Sequence, residues 1–293
     1  MGPSGERSGY SASLSIRAAA PPKIFERRVS KTEIIDLTIP IHEGMVLNHP
    51  NHPRAPVIWQ YQRHVFSQWL MASRWDPPRT PRLYDGLPPE AGIGGKGHGF
   101  QSEQLLISTH MGTHIDAASH FDHRDEAQDA AQIPLERCCG EAIMLDLRGV
   151  CAGSRAITVE DLETAERRTE DRVREGDVVI LHTGHSARYG YGPNVDPERW
   201  AQEAPGLGHD APIWFIERKV KLVGIDSPNG DCDLALTAHV NFLLRGWIGK
   251  DVIQIVENLA YLERIPRPRF TFFALPLPIV GGSGSPIRAV AII

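Results

Sequence analysis

Four residues suited to metal ligation or proton transfer fall within eleven positions of the chain. They are His110, His114 and Asp116, in the run His110-Met111-Gly112-Thr113-His114-Ile115-Asp116, and His120 just beyond it. In an extended chain, residues two apart share a face, so His114 and Asp116 point the same way. Gly112-Thr113 can bend the backbone and swing His110 toward the same point. Two imidazoles and a carboxylate make a ligand set that borderline divalent metals such as zinc or manganese accept. Three protein ligands leave coordination positions for water and substrate, which distinguishes a catalytic site from a structural one. One histidine pair at four-residue spacing means little, but four ligand-type residues directly after an apolar segment are harder to dismiss. The run is not the H-E-x-x-H of a zincin protease, because Met111 stands where the catalytic Glu would be.

A metal held here would polarise a carbonyl and lower the pKa of water from about 15.7 toward about 7. His120, four residues past Asp116, is the expected proton-transfer residue. Imidazole titrates near neutrality, so it can take up a proton and return it within one cycle. The chemistry expected of these residues is hydrolysis.

Several elements must position this run. Gln104-Leu105-Leu106-Ile107-Ser108 reads as a buried strand leading straight into it. Strands are also expected over residues 33–41, 142–147, 177–182, 220–225, 252–256, 270–277 and 287–293. Thr158, with Asp161 three residues on, predicts a capped helix start. Apolar positions 236, 240, 243 and 244 predict a helix over 234–245. Strands alternate with helices yet outnumber them, which predicts a single mixed α/β domain and not a doubly wound parallel sheet. The domain should span 31–293, after a flexible lead-in at 1–30 that is rich in Ser, Gly and Ala but lacks an apolar signal core. Pro, Gly, His and Trp crowd the stretch from Gly44 to Gly99, including Trp59, Trp69 and Trp75. That composition predicts a loop-rich insertion at about 62–100, serving as a lid or pocket wall.

The remaining composition excludes other classes. A net charge of -5, mixed in sign along the chain, gives no basic stripe for nucleic acid. No apolar run is long enough to span a bilayer. Cys138, Cys139, Cys151 and Cys232 show no C-x-x-C spacing, so reduced thiols in a cytoplasmic protein are expected. His182 and His185 read as turn residues, and His42, His49 and His52 lie in a loop that could contact substrate. His64, His98, His123 and His209 read as ordinary surface or loop residues. Asp226 could either orient a ligand or cap the turn made with Ser227-Pro228. Gly281-Gly282-Ser283-Gly284-Ser285 lacks the Lys-Ser/Thr ending of a phosphate loop and reads as a turn between strands.

From His110 to His120 the chain reproduces the pattern H-x-G-T-H-x-D-x-x-x-H, and here it resembles the cyclase family of metal-dependent hydrolases. That family includes bacterial kynurenine formamidases and isatin hydrolases. The resemblance extends to Asp36-Leu37-Thr38-Ile39-Pro40-Ile41 with Gly44-Met45, and to Val223-Gly224-Ile225-Asp226-Ser227-Pro228. It continues through Glu257-Asn258-Leu259, Phe272-Phe273-Ala274-Leu275-Pro276 and Gly284-Ser285-Pro286-Ile287-Arg288. It implies the family's swivelling β/β/α fold and a homodimer or homotetramer. It also implies that His110, His114 and Asp116 bind one metal, and that His239 and Glu257 complete a second site bridged by Asp116. The stretch between His239 and Glu257 is several residues longer here than in the formamidases, and the 62–100 region departs from them too. The substrate class this implies is a small molecule with a carbon–nitrogen bond, an amide or cyclic amide, probed through an aromatic-rich loop. A lactone hydrolase on the same site is the neighbouring alternative. A non-catalytic metal- or ligand-binding protein is the alternative of a different class, against which His120 speaks, since storage of a metal needs no base.

Overall fold

The computed structural model describes residues 32–47, 56–62, 101–151, 153, 155–232, 236–243, 245–246 and 250–293. The lead-in at 1–30, Trp69, Trp75, nearly all of the 62–100 insertion, and His49, His52, His64 and His98 lie outside the described residues. Glu33–Ile293 forms one compact unit.

Thirteen strands and four α-helices are present among the described residues. In chain order the strands begin with β1 (Ile34–Asp36), β2 (Val57–Gln62), β3 (Ser102–Leu106), β4 (His114–Asp116), β5 (Cys139–Asp146) and β6 (Ala156–Ile157). They continue with β7 (Val178–His182), β8 (Gly206–Leu207), β9 (Leu222–Ile225) and β10 (Gln254–Glu257). The last three are β11 (Arg269–Phe273), β12 (Gly284–Pro286) and β13 (Val290–Ile292). The helices are α1 (Val159–Arg168), α2 (Pro197–Gln202), α3 (Ala211–Glu217) and α4 (Thr237–Leu243).

Nine strands form one mixed sheet in the order β1-β13-β11-β5-β7-β9-β10-β4-β12. Its centre, β5-β7-β9-β10, is parallel, and the strands flanking it on both sides are antiparallel. Parallel strands covered on both faces need apolar residues in continuous runs. Val178-Val179-Ile180-Leu181 supplies one, and alternation divides it. Val178 and Ile180 enter one buried cluster with Ile115, Leu222, Val256 and Phe272. Val179 and Leu181 enter the other, with Ile255 and residues of α1, α3 and α4 such as Leu162, Phe215 and Phe242. The α1 start is capped as its sequence predicts, Thr158 Oγ1 accepting the Asp161 amide and the Asp161 carboxylate accepting the Thr158 amide.

Three expectations need correction. The strand before the histidine run is neither buried nor in the main sheet. Among the described residues it pairs only with β2, and Leu105 and Leu106 are 59% and 54% exposed. Its apolar run reads like a core strand, yet among the described residues it belongs to a two-stranded ribbon outside the main sheet. The first strand stops at Asp36, before Pro40, leaving a single bridge from Thr38 to Leu259. The glycine-rich stretch is more than a turn, because Gly284–Pro286 pairs with β4.

Candidate metal centre

β4 is the pivot of the site. Alternation sends Ile115 into the core on one face and His114 and Asp116 to the other, under α4. The antiparallel register sets Glu257 of β10 directly across from His114, and Gly284 of β12 across from Asp116. Cross-strand neighbours of this kind lie within side-chain contact. The run reaches β4 through a turn at Gly112, whose φ of 62° is costly for any residue with a Cβ. Thr113 pins that turn, its Oγ1 accepting the Ile39 amide at 2.8 Å and donating to the Asn258 carbonyl at 2.6 Å.

All six residues expected at the site converge there. His110 Nδ1 lies 2.8 Å from Asp116 Oδ1, and its Nε2 lies 2.9 Å from Ser283 Oγ. His114 donates from Nδ1 to the Gly112 carbonyl at 2.8 Å, which turns its Nε2 inward. That Nε2 stands 3.4 Å from Asp116 Oδ1 and 3.5 Å from Glu257 Oε2. His239 Nε2 enters from α4, 3.4 Å from Asp116 Oδ2 and 3.4 Å from Glu257 Oε1. The Asp231 carboxylate accepts a hydrogen bond from His239 Nδ1 at 2.6 Å and others from the amides of Ala238 and His239. One carboxylate therefore starts α4 and fixes the imidazole's tautomer and direction. His120 stacks on His110 with ring centroids 4.0 Å apart and keeps an exposed face.

These residues fit a metal. Separations of 3.4–3.5 Å are too long for good hydrogen bonds. They match the distance of about 3.3–3.4 Å between ligand atoms arranged tetrahedrally on a metal at about 2.0–2.1 Å. Asp116 Oδ2 is buried and accepts no hydrogen bond among the described residues. Two sets of donors lie close enough to share an ion, His110 with His114 and Asp116, and Asp116 with His120 and His239. Asp116 belongs to both.

The electrostatics agree. Burial works against charge on His114, yet Asp116 and Glu257 raise its pKa above the ordinary imidazole value. His239 is raised well above that value, against its burial, by Asp116, Asp231 and Glu257. Burial pushes the Asp116 carboxyl up, but His110, His114 and His239 together hold it well below the usual carboxylate range. The two carboxylates thus create a buried site that draws positive charge, which a divalent cation supplies with the imidazoles left neutral. His120 differs. Its burial depresses its pKa; Asp116 opposes this, but the neighbouring histidines add to it, and the result is about 4.

The Cyclase family model matches residues 35–232, a span that contains the whole His110–His120 run. The chain belongs to the cyclase family. The kynurenine formamidase of Bacillus cereus is 30% identical over 236 residues, covering 76% of this chain and 97% of that protein. The isatin hydrolase A structure from Ralstonia solanacearum superposes with a TM-score of 0.67 at 21% identity, over 89% of this chain and 92% of that one. A structure described as a potential metal-dependent hydrolase with cyclase activity has a TM-score of 0.59 at 21% identity, covering 89% and 98% of the two chains. The protein is accordingly a cyclase-family metal-dependent hydrolase, with the mixed sheet of that fold.

In this cyclase-family chain the other candidates fall away from the centre. Asp226 neither touches the ligands nor caps its own Ser227-Pro228 turn. Its carboxylate accepts the Thr183 and Gly184 amides and the Thr183 hydroxyl, closing the turn after β7. His185 donates its own amide to Thr183 Oγ1, its Nε2 contacts the Trp200 carbonyl at 2.8 Å, and its ring stacks on the Trp200 indole. His42, His123 and His209 are exposed. The cysteines are free, and burial pushes the Cys138 and Cys151 thiols up to about 12, so they stay protonated. No helix among the described residues is long and apolar enough to cross a membrane.

Sequence reasoning passed over Asp231, Ser283 and Gly284. A Cβ on Gly284 would meet His110 Cε1 at 2.7 Å and the Ile115 carbonyl at 2.9 Å, so this glycine makes room for the His110 ring. Its presence in a glycine-rich run was visible, but its partner strand was not. Asp231 lies eight positions before His239 with no local pattern to link them.

Proposed function

We propose that the protein hydrolyses the carbon–nitrogen bond of an amide or cyclic amide in a small aromatic substrate. The observation that carries this reading is the convergence of two imidazole Nε2 atoms and two carboxylates at 3.4–3.5 Å, with His120 beside them. The relatives named for formamidase and isatin hydrolase activities supply the bond and the aromatic character of the substrate.

His110, His114 and Asp116 would hold one divalent ion, and Asp116, His239 and Glu257 a second, of zinc or manganese type. When bound, the metal supplies an activated water and a Lewis acid for the scissile carbonyl. The chain does the rest. Asp116 presents one oxygen to each half of the site, and Asp231 and the Gly112 carbonyl hold the two imidazoles in the tautomers that point Nε2 inward. His120 takes the proton of the attacking water and delivers it to the leaving nitrogen. Its ring stands at the solvent-facing side of the cluster, where both groups can reach it. We read residues 31–293 as one catalytic domain behind a lead-in at 1–30, working in the cytoplasm as a homodimer or homotetramer.

The test is a hydrolysis screen of metal-free and zinc- or manganese-loaded protein against aryl formamides, cyclic imides and lactones. Turnover of the nitrogen-containing substrates is expected with metal only. Turnover confined to lactones would move the assignment to ester hydrolysis.

A further inference from the structure

The strands that carry Glu257 and Asp226 at their C-terminal ends open at their other ends onto a separate cavity of 670 Å³. That volume lies within the range of roughly 300–1,000 Å³ seen for small-ligand sites. Residues just before β7, β9 and β10 line it, together with Arg245, Lys250 and Asp251.

Charge is distributed unevenly in it. The chain carries -5 overall, yet five cations line this cavity against three carboxylates. Two of the carboxylates are already paired, Asp251 with Arg137 at 2.7 Å and Glu175 with Lys219 at 2.8 Å. Among the described residues Lys221, Arg245 and Lys250 form no ion pair, and the one other carboxylate of the lining is the exposed Glu136. Arg245 is half-buried and fixed by one bond, from Nε to the Asp251 carbonyl at 2.9 Å, with no carboxylate pairing its guanidinium among the described residues. Lys221 is also half-buried, and its ammonium lies close over the backbone of Gly140. A Cβ on Gly140 would stand 2.6 Å from Lys221 Nζ. Burial lowers the Arg245 pKa, with Asp251 opposing, as expected of a desolvated cation lacking a full partner.

We propose that this cavity binds a small multivalent oxyanion, a phosphate or polycarboxylate, between Lys221, Arg245 and Lys250. A guanidinium held at Nε presents its remaining donors as a fork, which suits two oxygens of one anion, while the ammonium groups act as point charges. The site contains none of the metal-ligating residues, so its occupancy does not depend on the catalytic assignment.

Calorimetric titration of the metal-loaded full chain with pyrophosphate and with citrate, at constant ionic strength set by chloride, tests the proposal. Saturable binding of one anion per chain is expected for one probe or both. Pyrophosphate alone identifies the phosphate class and citrate alone the polycarboxylate class. Lys221→Met and Arg245→Gln should each weaken binding at least about tenfold, the cost of one charge-assisted contact. Arg199→Ala, on a different surface, should leave it unchanged. Absence of saturation with both probes at about 10 mM, weaker than any useful affinity, would overturn the proposal in the unmodified protein. Equal weakening by Arg199→Ala, or wild-type binding in both cavity variants, would overturn it as well.

Discussion

The two halves of the candidate metal centre are built in different ways. His114, Asp116 and Glu257 sit on paired strands, where register alone brings them face to face, and His110 is wedged against them by Gly284. His239 sits on a seven-residue helix, and its direction depends on one carboxylate, Asp231. The half made by His110, His114 and Asp116 is held by ladder hydrogen bonds on both sides of β4; the half that adds His239 depends, for its one ligand from a helix, on a single hub. Rigid placement of ligands favours tight binding, so the strand half should hold metal first and lose it last. The helix half should be where occupancy varies.

Asp116 is the point at which the two halves meet, and its loss should have the largest effect. Asp116→Ala should abolish bound metal at both halves, read by elemental analysis, and remove hydrolysis altogether. His120→Ala should leave metal content intact and reduce kcat by about 10²–10⁴-fold, the range for a lost general acid–base group. Asp231→Asn separates the halves directly. It should weaken metal at the helix half by about 10–100-fold while the strand half stays filled. Equal loss at both halves would show that the distinction between strand and helix is wrong. Gly284→Ala probes the other side by forcing His110 off its place, and should weaken the strand half in preference.

The smallest effect lies outside both halves, at the cap of α1. Burial pushes the Asp161 carboxyl up, but hydrogen bonds from Thr158 and the charge of Arg155 outweigh it, holding its pKa below the ordinary carboxylate value. A depressed carboxylate adds stability that is complete above its unfolded pKa and lost as pH falls through the folded one. Thr158→Ala should therefore cost about 0.5–2 kcal/mol near neutrality. That cost should shrink below about pH 4, measured by urea unfolding, while metal binding at neutral pH is unaffected.

The same contrast explains what could be read from the sequence. Period-two spacing put His114 and Asp116 on one face, and a strand delivers that geometry without further help. The central parallel strands and the Thr158 cap were legible for the same reason, since each is a local pattern. His239 and Glu257 came only from resemblance to a family, because nothing local connects positions 239 and 257 to β4. Leu105 and Leu106 misled, since apolar residues suggest burial but cannot reveal that their strand pairs outside the main sheet. Asp231 and Gly284 act through partners far along the chain, and register alone discloses them.

The central claim is that metal held by this cluster and a proton carried by His120 together perform amide hydrolysis. Its most direct measurement compares turnover of an aryl formamide by chelator-stripped, zinc- or manganese-reconstituted, and reconstituted His120→Ala protein. The account predicts no turnover after stripping, recovery on reconstitution, and near-complete loss in the metal-filled variant. Turnover that survives stripping, or full-rate turnover in metal-filled His120→Ala, would contradict it.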